Sequence, residues 1–553
     1  MFDERLQNLF GSNSPVKKVE YTTSGNGALK LTSTGDPFVD QFGLISQYRQ
    51  LRPYSSISKD MKELWDIDPI YTLKLLFYIR LITRKVKFSD GTETSKVQKG
   101  AGLRHESFMR MLWLAVNHSD TFYKNLPLFI TIGSWKDIIQ LMSYDLQYHG
   151  WDNKVLDFDK MSDFILAGLE NPNTCNLVKK FLPTIKSKSK CRTLESQADT
   201  IIGKFLAHKL FGDGEFSPKL HSNNSYCLYR KLKSSGTAHE WQQMISRSQF
   251  NIDFSKVHGR ALALLVSGKY LANHNLEKDY EDWIKKQPVA KFTGFVYELF
   301  KGLNNKSPLY KRYTIDKQFE GLIKAAKDST PSSFLVARDT SGSMDSKVVG
   351  LDISSNEVAK SIALYFSYLL KGQFANSYIE FDSKPELRYW EGNSPSDKYL
   401  KNTSYAYGST NFLGIADLFI KIYKHTPIEK FPNGLIAISD GEWDACRGGK
   451  SSNKTNFQLF KDRLLKAGFP KDYVDNFKIV LWDIPNNFYS RQEIRPKFES
   501  FADTPNFFYM GGFDPAGITF LLGGEEKDKP APKTPRELFE TAMNQEIMDY
   551  IQM

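Results

Sequence analysis

Hydrophobic and polar positions follow two different periods along the chain, and the change falls near residue 331. Before that point, apolar residues recur at helical spacing. The segment DPIYTLKLLFYIRLIT places Tyr71, Leu75, Tyr78 and Ile82 on one stripe, as an amphipathic helix does. Similar short segments follow, joined by brief polar turns. This pattern predicts stacked helical pairs, although no strict sequence period marks the repeats.

After residue 331, short apolar runs alternate with helical segments. The runs are FLVARD (334–339), SYIEFDS (377–383), GLIAISD (434–440), FKIVLWDI (477–484) and NFFYMGG (506–512). Strands that alternate with helices are typical of a parallel sheet covered by helices. The sequence therefore predicts an α + α/β fold class, with a helical repeat domain followed by a doubly wound, Rossmann-like domain.

Both ends of the chain depart from these two patterns. Residues 1–35 are rich in Ser, Thr, Gly and Asn and lack periodicity, which predicts a flexible tail. Residues 527–537 form a Pro/Lys linker, after which an amphipathic helix is predicted to pack back on the helical domain. Its apolar face consists of Leu538, Phe539, Ala542, Met543, Ile547 and Ile551. The predicted domains are thus 1–35, 36–330, 331–526 and 527–553.

Composition excludes several classes of protein. Of the 553 residues, 41% are hydrophobic, which is too many for a disordered or collagen-like chain. No apolar run is long enough to cross a membrane, and the acidic start is unlike a secretory signal. The cysteines Cys175, Cys191, Cys227 and Cys446 show no CxxC spacing. We therefore expect a cytoplasmic protein without structural zinc or a disulfide framework.

The charge is unevenly distributed along the chain. The whole sequence carries 74 Lys and Arg against 63 Asp and Glu, a net charge of +11. Residues 1–330 hold 48 of the basic and 34 of the acidic residues, whereas residues 331–553 hold 26 and 29. Such a split suggests that the first part meets a polyanion. A basic domain that is merely soluble is the alternative.

Oxygen-bearing side chains lie at the ends of two predicted strands and at one helix start. DTSGS supplies Asp339, Ser341 and Ser343, ISDGE supplies Asp440, and YGSTNF supplies Thr410. Ligands of open parallel sheets bind beyond the carboxyl ends of the strands. Hard oxygen donors suit Mg²⁺, with Mn²⁺ or Ca²⁺ as alternatives. A hydroxyl-rich turn that caps a helix is the other interpretation, but capping requires no acids at two strand ends.

No catalytic group accompanies these candidate ligands in the sequence. The only histidine after residue 331, His425, lies inside a predicted helix, so the site lacks an obvious general base. Walker A and GxGxxG motifs are absent as well. Glu442 and Asp444 of DGEWDA are interpreted as a solvated loop, with support of the metal ligands from behind as the alternative. We therefore expect a protein that is not an enzyme.

DTSGSM, GST and SDGE, in this order, resemble the metal-ion-dependent adhesion site of von Willebrand factor A domains. The resemblance implies that Ser341 and Ser343 ligate a cation directly. It also implies that Asp339 and Asp440 hold the metal or its waters, and that Thr410 joins or leaves with conformation. In that family a carboxylate from a protein partner often takes the sixth position.

The helical part resembles the TROVE-type domain of the Ro autoantigen and a related uncharacterised TROVE-like family. The matching positions are Arg80, Arg104, Glu106, Asn125, Leu126, Pro127, Gly133, Trp135 and Asp137. The family's Gly-rich loop is replaced here by KVKFSDGTETSKVQKGAG. The resemblance implies a ring of HEAT-like repeats closed by the A domain. It also implies binding of RNA, whose single-stranded ends enter a basic hole.

Three basic segments are the candidate RNA contacts. Their residues are Arg84, Lys85, Lys87, Arg104, Lys186, Lys188, Lys190, Arg192, Tyr229, Arg230, Lys231 and Lys233. SYCLYRKLKSS mixes aromatic and cationic side chains, as single-strand binding favours, although a solvated charged face would look similar. The predicted function is a non-enzymatic, monomeric RNA-binding scaffold. A metal-dependent adhesion adaptor and a structural or virion-associated protein are the alternatives.

Overall fold

The computed structural model describes residues 21–24, 26–49, 52–219, 223–236, 252–257, 259–292, 294–327, 333–348, 351–402, 406–444, 454–484, 498–522 and 531–553. The chain divides into two compact units. One unit joins the chain up to Leu51 with Asp253–Ala542, and the other joins Arg52–Ile252 with Met543–Met553. We call them the sheet unit and the helical unit.

The strands and helices together confirm the α + α/β class. The strands are β1 (Tyr21–Thr23), β2 (Leu29–Leu31), β3 (Ile82–Arg84), β4 (Gln98–Ala101), β5 (Phe334–Asp339), β6 (Ser377–Phe381), β7 (Glu386–Tyr389), β8 (Gly434–Ser439), β9 (Lys478–Asp483) and β10 (Phe507–Gly511). In the part of the chain that the structure describes, no helix is long and apolar enough to cross a membrane.

The helical unit is built from short helices, as the apolar spacing predicts. They are Tyr54–Ile67, Pro69–Arg80, Arg104–Asn117, Ser119–Ile132, Trp135–His149, Phe158–Glu170, Cys175–Phe181, Leu194–Phe211 and Asn223–Ser234. Helix Pro69–Arg80 begins at an Asp68 cap and buries Leu75 and Tyr78. It ends two residues before Ile82, which lies in β3 and not on the predicted stripe. The predicted helical segment 238–250 lies outside the described residues.

A buried ion pair links two helices of the helical unit. Nε of Arg80 donates to Oδ2 of Asp137 at 2.8 Å, and both side chains are fully buried. A Cβ at Gly133 would lie 1.9 Å from that same carboxylate oxygen. Glycine is therefore required where the backbone approaches the pair. The Arg, Gly and Asp of the TROVE-like pattern thus have a packing role in this chain.

The sheet unit contains a six-stranded sheet with the order β10-β9-β8-β5-β6-β7. The five predicted strands are present and parallel, whereas β7 is an additional antiparallel edge strand that pairs with β6. Every residue of β5, β6 and β8 is buried, as expected for strands covered on both faces. The helices of this unit are Pro37–Gly43, Gly259–Ser267, Tyr270–Asn273, Glu277–Lys286, Val296–Phe300, Leu309–Lys327, Ser355–Leu369, Pro395–Lys401, Leu413–Tyr423, Asn456–Lys466, Lys471–Asn476 and Pro535–Met543.

The two units do not follow the predicted boundary at residue 331. Residues 259–327 are helical, as predicted, but they belong to the sheet unit. Residues 21–24 and 26–31, predicted as part of a flexible tail, instead form the β1–β2 hairpin with Ala28 and Leu31 in the core of that unit. Residues 1–20 lie outside the described residues.

The C-terminal helix is shorter than predicted. Helix Pro535–Met543 ends before Asn544, and a 3₁₀ turn follows at Glu546–Tyr550. Of the predicted apolar face, five residues are buried and Ile551 is half-buried. Phe539 packs against Phe38 and Phe42 in the sheet unit, with ring centroids 5.7 and 5.9 Å away. From Met543 onward the segment belongs to the helical unit.

Candidate metal centre

The two candidate aspartates lie at the carboxyl ends of neighbouring strands. Asp339 is the last residue of β5, and Asp440 follows the last residue of β8. These two central strands are paired in parallel, so both end at the same edge of the sheet. The chain continues from these two strands toward opposite sides of the sheet, because β6 is the other neighbour of β5 and β9 is the other neighbour of β8. Open α/β sheets bind ligands at such a switch point.

The Asp339 carboxylate is held from two sides. Oδ1 accepts a hydrogen bond from the backbone N–H of Ser341 at 2.8 Å. Oδ2 accepts one from the hydroxyl of Ser439 at 2.5 Å. Burial, together with the neighbouring charge of Asp440, raises the pKa of Asp339 to about 7. A divalent cation bound beside Asp339 would stabilise the charged form of this carboxyl group.

Hydrogen bonds between backbones join the three loops that carry the candidate ligands. Tyr407 N–H donates to the carbonyl oxygen of Thr340 at 3.0 Å, and Gly342 N–H donates to that of Gly408 at 3.3 Å. The SDGEWD loop is bonded to the YGST loop, because Asp444 N–H donates to the carbonyl oxygen of Thr410 at 3.0 Å. The structure therefore brings the DTSGS, YGST and SDGEWD loops to one place.

The donor set at this edge consists of oxygen atoms. The hydroxyls of Ser341 and Ser343 lie 3.3 Å apart, and both serines are buried, as is Thr410. Carboxylate and hydroxyl oxygens are hard donors and fit Mg²⁺ or a similar cation. Within the described ranges, no three His, Cys, Asp or Glu side chains form a group that could hold a metal. A cation here would thus depend on two carboxylates together with hydroxyls and water.

Ser439 is a residue of this site that the sequence analysis did not identify. Its oxygen accepts a hydrogen bond from Gly441 N–H at 2.9 Å and donates to Asp339. It therefore connects the two acidic loops. The feature of the sequence that could have identified Ser439 is its position at the end of the predicted strand, directly before Asp440. The prediction of a solvated loop was wrong for Glu442, which is buried.

The basic candidates divide into exposed and internally bonded side chains. The exposed candidates are Arg84, Lys85, Lys87, Arg104, Lys186, Lys190, Arg192, Arg230 and Lys231. Lys188 lies in the short turn Lys188–Lys190. Arg84, together with Tyr229 and Lys233, also forms hydrogen bonds within the helical unit.

Arg84, Tyr229 and Lys233 are bonded to the backbone of the helical unit. Nη2 of Arg84 donates to the carbonyl oxygens of residues 131–133 at 3.0–3.1 Å, at the end of helix Ser119–Ile132. Tyr229 is fully buried and its hydroxyl donates to the carbonyl oxygen of Pro183 at 3.0 Å. Nζ of Lys233 donates to the carbonyl oxygen of Leu182. Tyr229 is therefore a core residue and not a stacking platform for bases.

These same bonds bring two basic segments together. Helix Asn223–Ser234 carries Arg230 and Lys231, and its contacts with residues 182–183 attach it to the chain that leads into the lysine-rich turn. We call the exposed cations of the two segments the basic surface. It consists of Lys186, Lys190, Arg192, Arg230 and Lys231.

Comparison with protein families gives a match in the first part of the chain. A family model described as "Domain of unknown function (DUF2828)" matches residues 24–163. The match includes Arg104 and the lysines after Arg84, but the five candidate metal ligands lie beyond it. No curated protein matches the chain.

Proposed function

We propose that this protein is a non-enzymatic RNA-binding scaffold of the TROVE type, with a von Willebrand factor A-like module that holds a divalent cation. The helical unit would consist of HEAT-like repeats and contact RNA, and the molecule would act as a cytoplasmic monomer. The observation that carries the proposal is the joining of the DTSGS, YGST and SDGEWD loops at one sheet edge.

The topology of the sheet supports an A-like module. Numbered from β5, the strand order is 3-2-1-4-5-6, with the third strand antiparallel. This order puts the switch point between β5 and β8, beside Asp339 and Asp440. The carboxylates of these residues and the hydroxyls of Ser341, Ser343 and Thr410 would hold the cation. Bound there, it would offer a Lewis-acidic position to an anionic partner group.

Charge and exposure support contact with RNA. Residues 52–252 contain 29 Lys and Arg against 20 Asp and Glu. The basic surface places cations from two segments on elements that are bonded to each other. Phosphate contacts of this kind provide affinity without base specificity and depend on salt.

Filter binding of single-stranded RNA to the full chain across a salt series tests this function. We expect log affinity to fall linearly with log salt, with a slope of roughly −0.7 per contacted phosphate. Nucleic acid that co-purifies with the protein, detected by ultraviolet absorbance, would agree with it. Absence of RNA binding even at low salt would contradict it.

One observation favours the adhesion adaptor as a second candidate. Tyr407 is 70% exposed, although its N–H is bonded to the carbonyl oxygen of Thr340 in the DTSGS loop. An exposed aromatic side chain at the margin of a cation site is suited to contact a protein that supplies a carboxylate. This alternative would be established if the full-length protein binds an acidic protein partner in the presence of Mg²⁺ but not of EDTA, and does not bind RNA.

A further inference from the structure

The β1–β2 hairpin packs on the loop that carries Asp440. Its strands pair Thr22 with Lys30, and its turn is closed by Gly27 N–H, which donates to the carbonyl oxygen of Ser24 at 3.0 Å. A bridge between Gly27 and Asp444 extends the pairing to the far end of the SDGEWD loop. The hairpin thus adds backbone pairing to a loop more than four hundred residues away in sequence.

Three consecutive carbonyl groups of this loop each accept a hydrogen bond from one hairpin side chain. The hydroxyl of Ser24 donates to the carbonyl oxygen of Trp443 at 2.6 Å. Nδ2 of Asn26 donates to that of Glu442 at 2.8 Å. Nζ of Lys30 donates to that of Gly441. The backbone from 441 to 443 is therefore held along its whole length.

Lys30 has the most unusual environment of the three. Its side chain is only 2% exposed, and a buried ammonium group is costly unless it is well bonded. Its positive charge acts on Glu499, which is fully buried, and opposes the rise in pKa that burial causes there. Strand β2, which carries Lys30, is anchored at its end too, because Leu31 N–H donates to the carbonyl oxygen of Phe498 at 2.8 Å.

The hairpin contacts lead directly to the candidate ligands. Gly441 accepts from Lys30 through its carbonyl group, while its N–H donates to Ser439, whose hydroxyl binds Asp339. Gly441 also has a φ of 77°, in the left-handed region that glycine favours. The hairpin bond and this left-handed backbone meet at Gly441, the residue directly after Asp440.

We propose that the β1–β2 hairpin is a clasp that positions the Asp440 loop for cation binding, with Lys30 as its principal positioning residue. This inference rests on the proposed cation site. Opening the clasp would leave the sheet intact and would loosen residues 440–444. Cation affinity would then fall because ordering of the loop would have to accompany binding.

The experiment compares the full-length protein with Lys30→Met and with Ser24→Ala/Asn26→Ala. Amide hydrogen exchange of residues 441–444 and the Mg²⁺-dependent shift in melting temperature are measured for each. Loss of one hydrogen bond to a charged group corresponds to about a tenfold change in an equilibrium constant. We expect amide exchange of residues 441–444 to be at least about tenfold faster in the hairpin variants, and their Mg²⁺ affinity to be about tenfold weaker. Lys371→Met, which alters an exposed lysine of the same unit, is the matched control.

The two readouts separate failure of the clasp from failure of the site. Unchanged exchange of residues 441–444 in both hairpin variants would overturn the clasp. So would faster exchange with an unchanged Mg²⁺ response. If the unaltered protein shows no Mg²⁺ response, the cation site itself fails and the positioning role falls with it. Should Lys30→Met unfold, the Ser24→Ala/Asn26→Ala variant decides, because it keeps the buried ammonium group of Lys30.

Discussion

The hydroxyl of Ser439 donates a hydrogen bond of 2.5 Å to the buried carboxylate of Asp339, across two paired strands. Because the same oxygen accepts from Gly441 N–H, the bond couples the two acidic loops at the sheet edge. A fixed acceptor beside a second carboxylate is the arrangement expected of a cation site whose ligands are ordered before the cation arrives.

Replacement of either aspartate should abolish stabilisation by Mg²⁺. In the unaltered protein, a cation that binds only the folded state adds about 1.4 kcal/mol to the free energy of unfolding at ten times Kd. Asp339→Ala and Asp440→Ala each remove one candidate carboxylate ligand, so their melting temperatures should not respond to Mg²⁺. Thermal melts with and without EDTA measure this. Asp503→Ala, at an exposed position, should respond like the unaltered protein; the same response in all three variants would refute the assignment.

Neutralising the exposed cations of helix Asn223–Ser234 should weaken RNA binding and its salt dependence. Arg230→Ala/Lys231→Ala should flatten the log–log slope by roughly one to one and a half units if both side chains contact phosphate. Filter binding across salt concentrations gives the slope. Lys62→Ala, an exposed lysine elsewhere in the helical unit, should leave it unchanged. Equal slopes for the double variant and this control would exclude the helix as a contact.

Lys233 should behave differently from its neighbours. Burial lowers the pKa of its ammonium group, which donates to the carbonyl oxygen of Leu182. Lys233→Ala should therefore reduce the free energy of unfolding of the chain by about 1–3 kcal/mol. The salt slope of RNA binding should stay within error of the unaltered protein. Chemical denaturation and filter binding measure the two quantities, and a flattened slope with unchanged stability would contradict this role.

The stability of the sheet unit should depend on the protonation of Lys360. Burial, and then the nearby positive charge of Arg338, lower the pKa of Lys360 to about 7 from its ordinary 10.5. Between these pH values the unfolded chain binds the additional proton, so this group makes stability rise with pH. Lys360→Met should remove that rise. Denaturation across this pH range measures the free energy of unfolding of the variant minus that of the unaltered protein. This difference should fall as pH increases for Lys360→Met and should stay constant for Lys371→Met.

The C-terminal segment should stay attached to the helical unit after cleavage in the predicted linker 527–535, whose residues 527–530 lie outside the described ranges. The side chain of Asn125 forms two hydrogen bonds with the backbone of Gln552. Its Nδ2 donates to the carbonyl oxygen of Gln552, and its Oδ1 accepts from the N–H of Gln552 at 2.9 Å. The carboxylate of Glu546 also accepts from Ser95. Limited proteolysis followed by gel filtration should therefore show no free fragment.

Asn125→Ala should loosen this attachment. Loss of two hydrogen bonds should make trimming by carboxypeptidase about tenfold faster or more. Asn117→Ala, which removes a bond only within its own helix, is the control. Equal trimming rates in both variants would show that Asn125 does not retain the segment.

The sequence by itself determined the parallel strands and the sheet edge of the candidate site. Buried runs such as FLVARD and GLIAIS form strands because their apolar side chains require cover on both faces. Parallel strands end at one edge, so Asp339 and Asp440 had to lie at the same edge of the sheet. That consequence follows from local pattern and general topology alone.

Only the tertiary structure decided which polar residues are available to a ligand. Tyr229 and Lys233 have the composition of a nucleic-acid contact, but Pro183 and Leu182, about fifty residues earlier, take their polar atoms. Lys30 lies in a segment that reads as a tail, yet burial and its hydrogen bond to the Gly441 carbonyl group make it an anchor of the loop. A side chain's role depends on partners that long-range packing brings to it, and local periodicity contains no information about them.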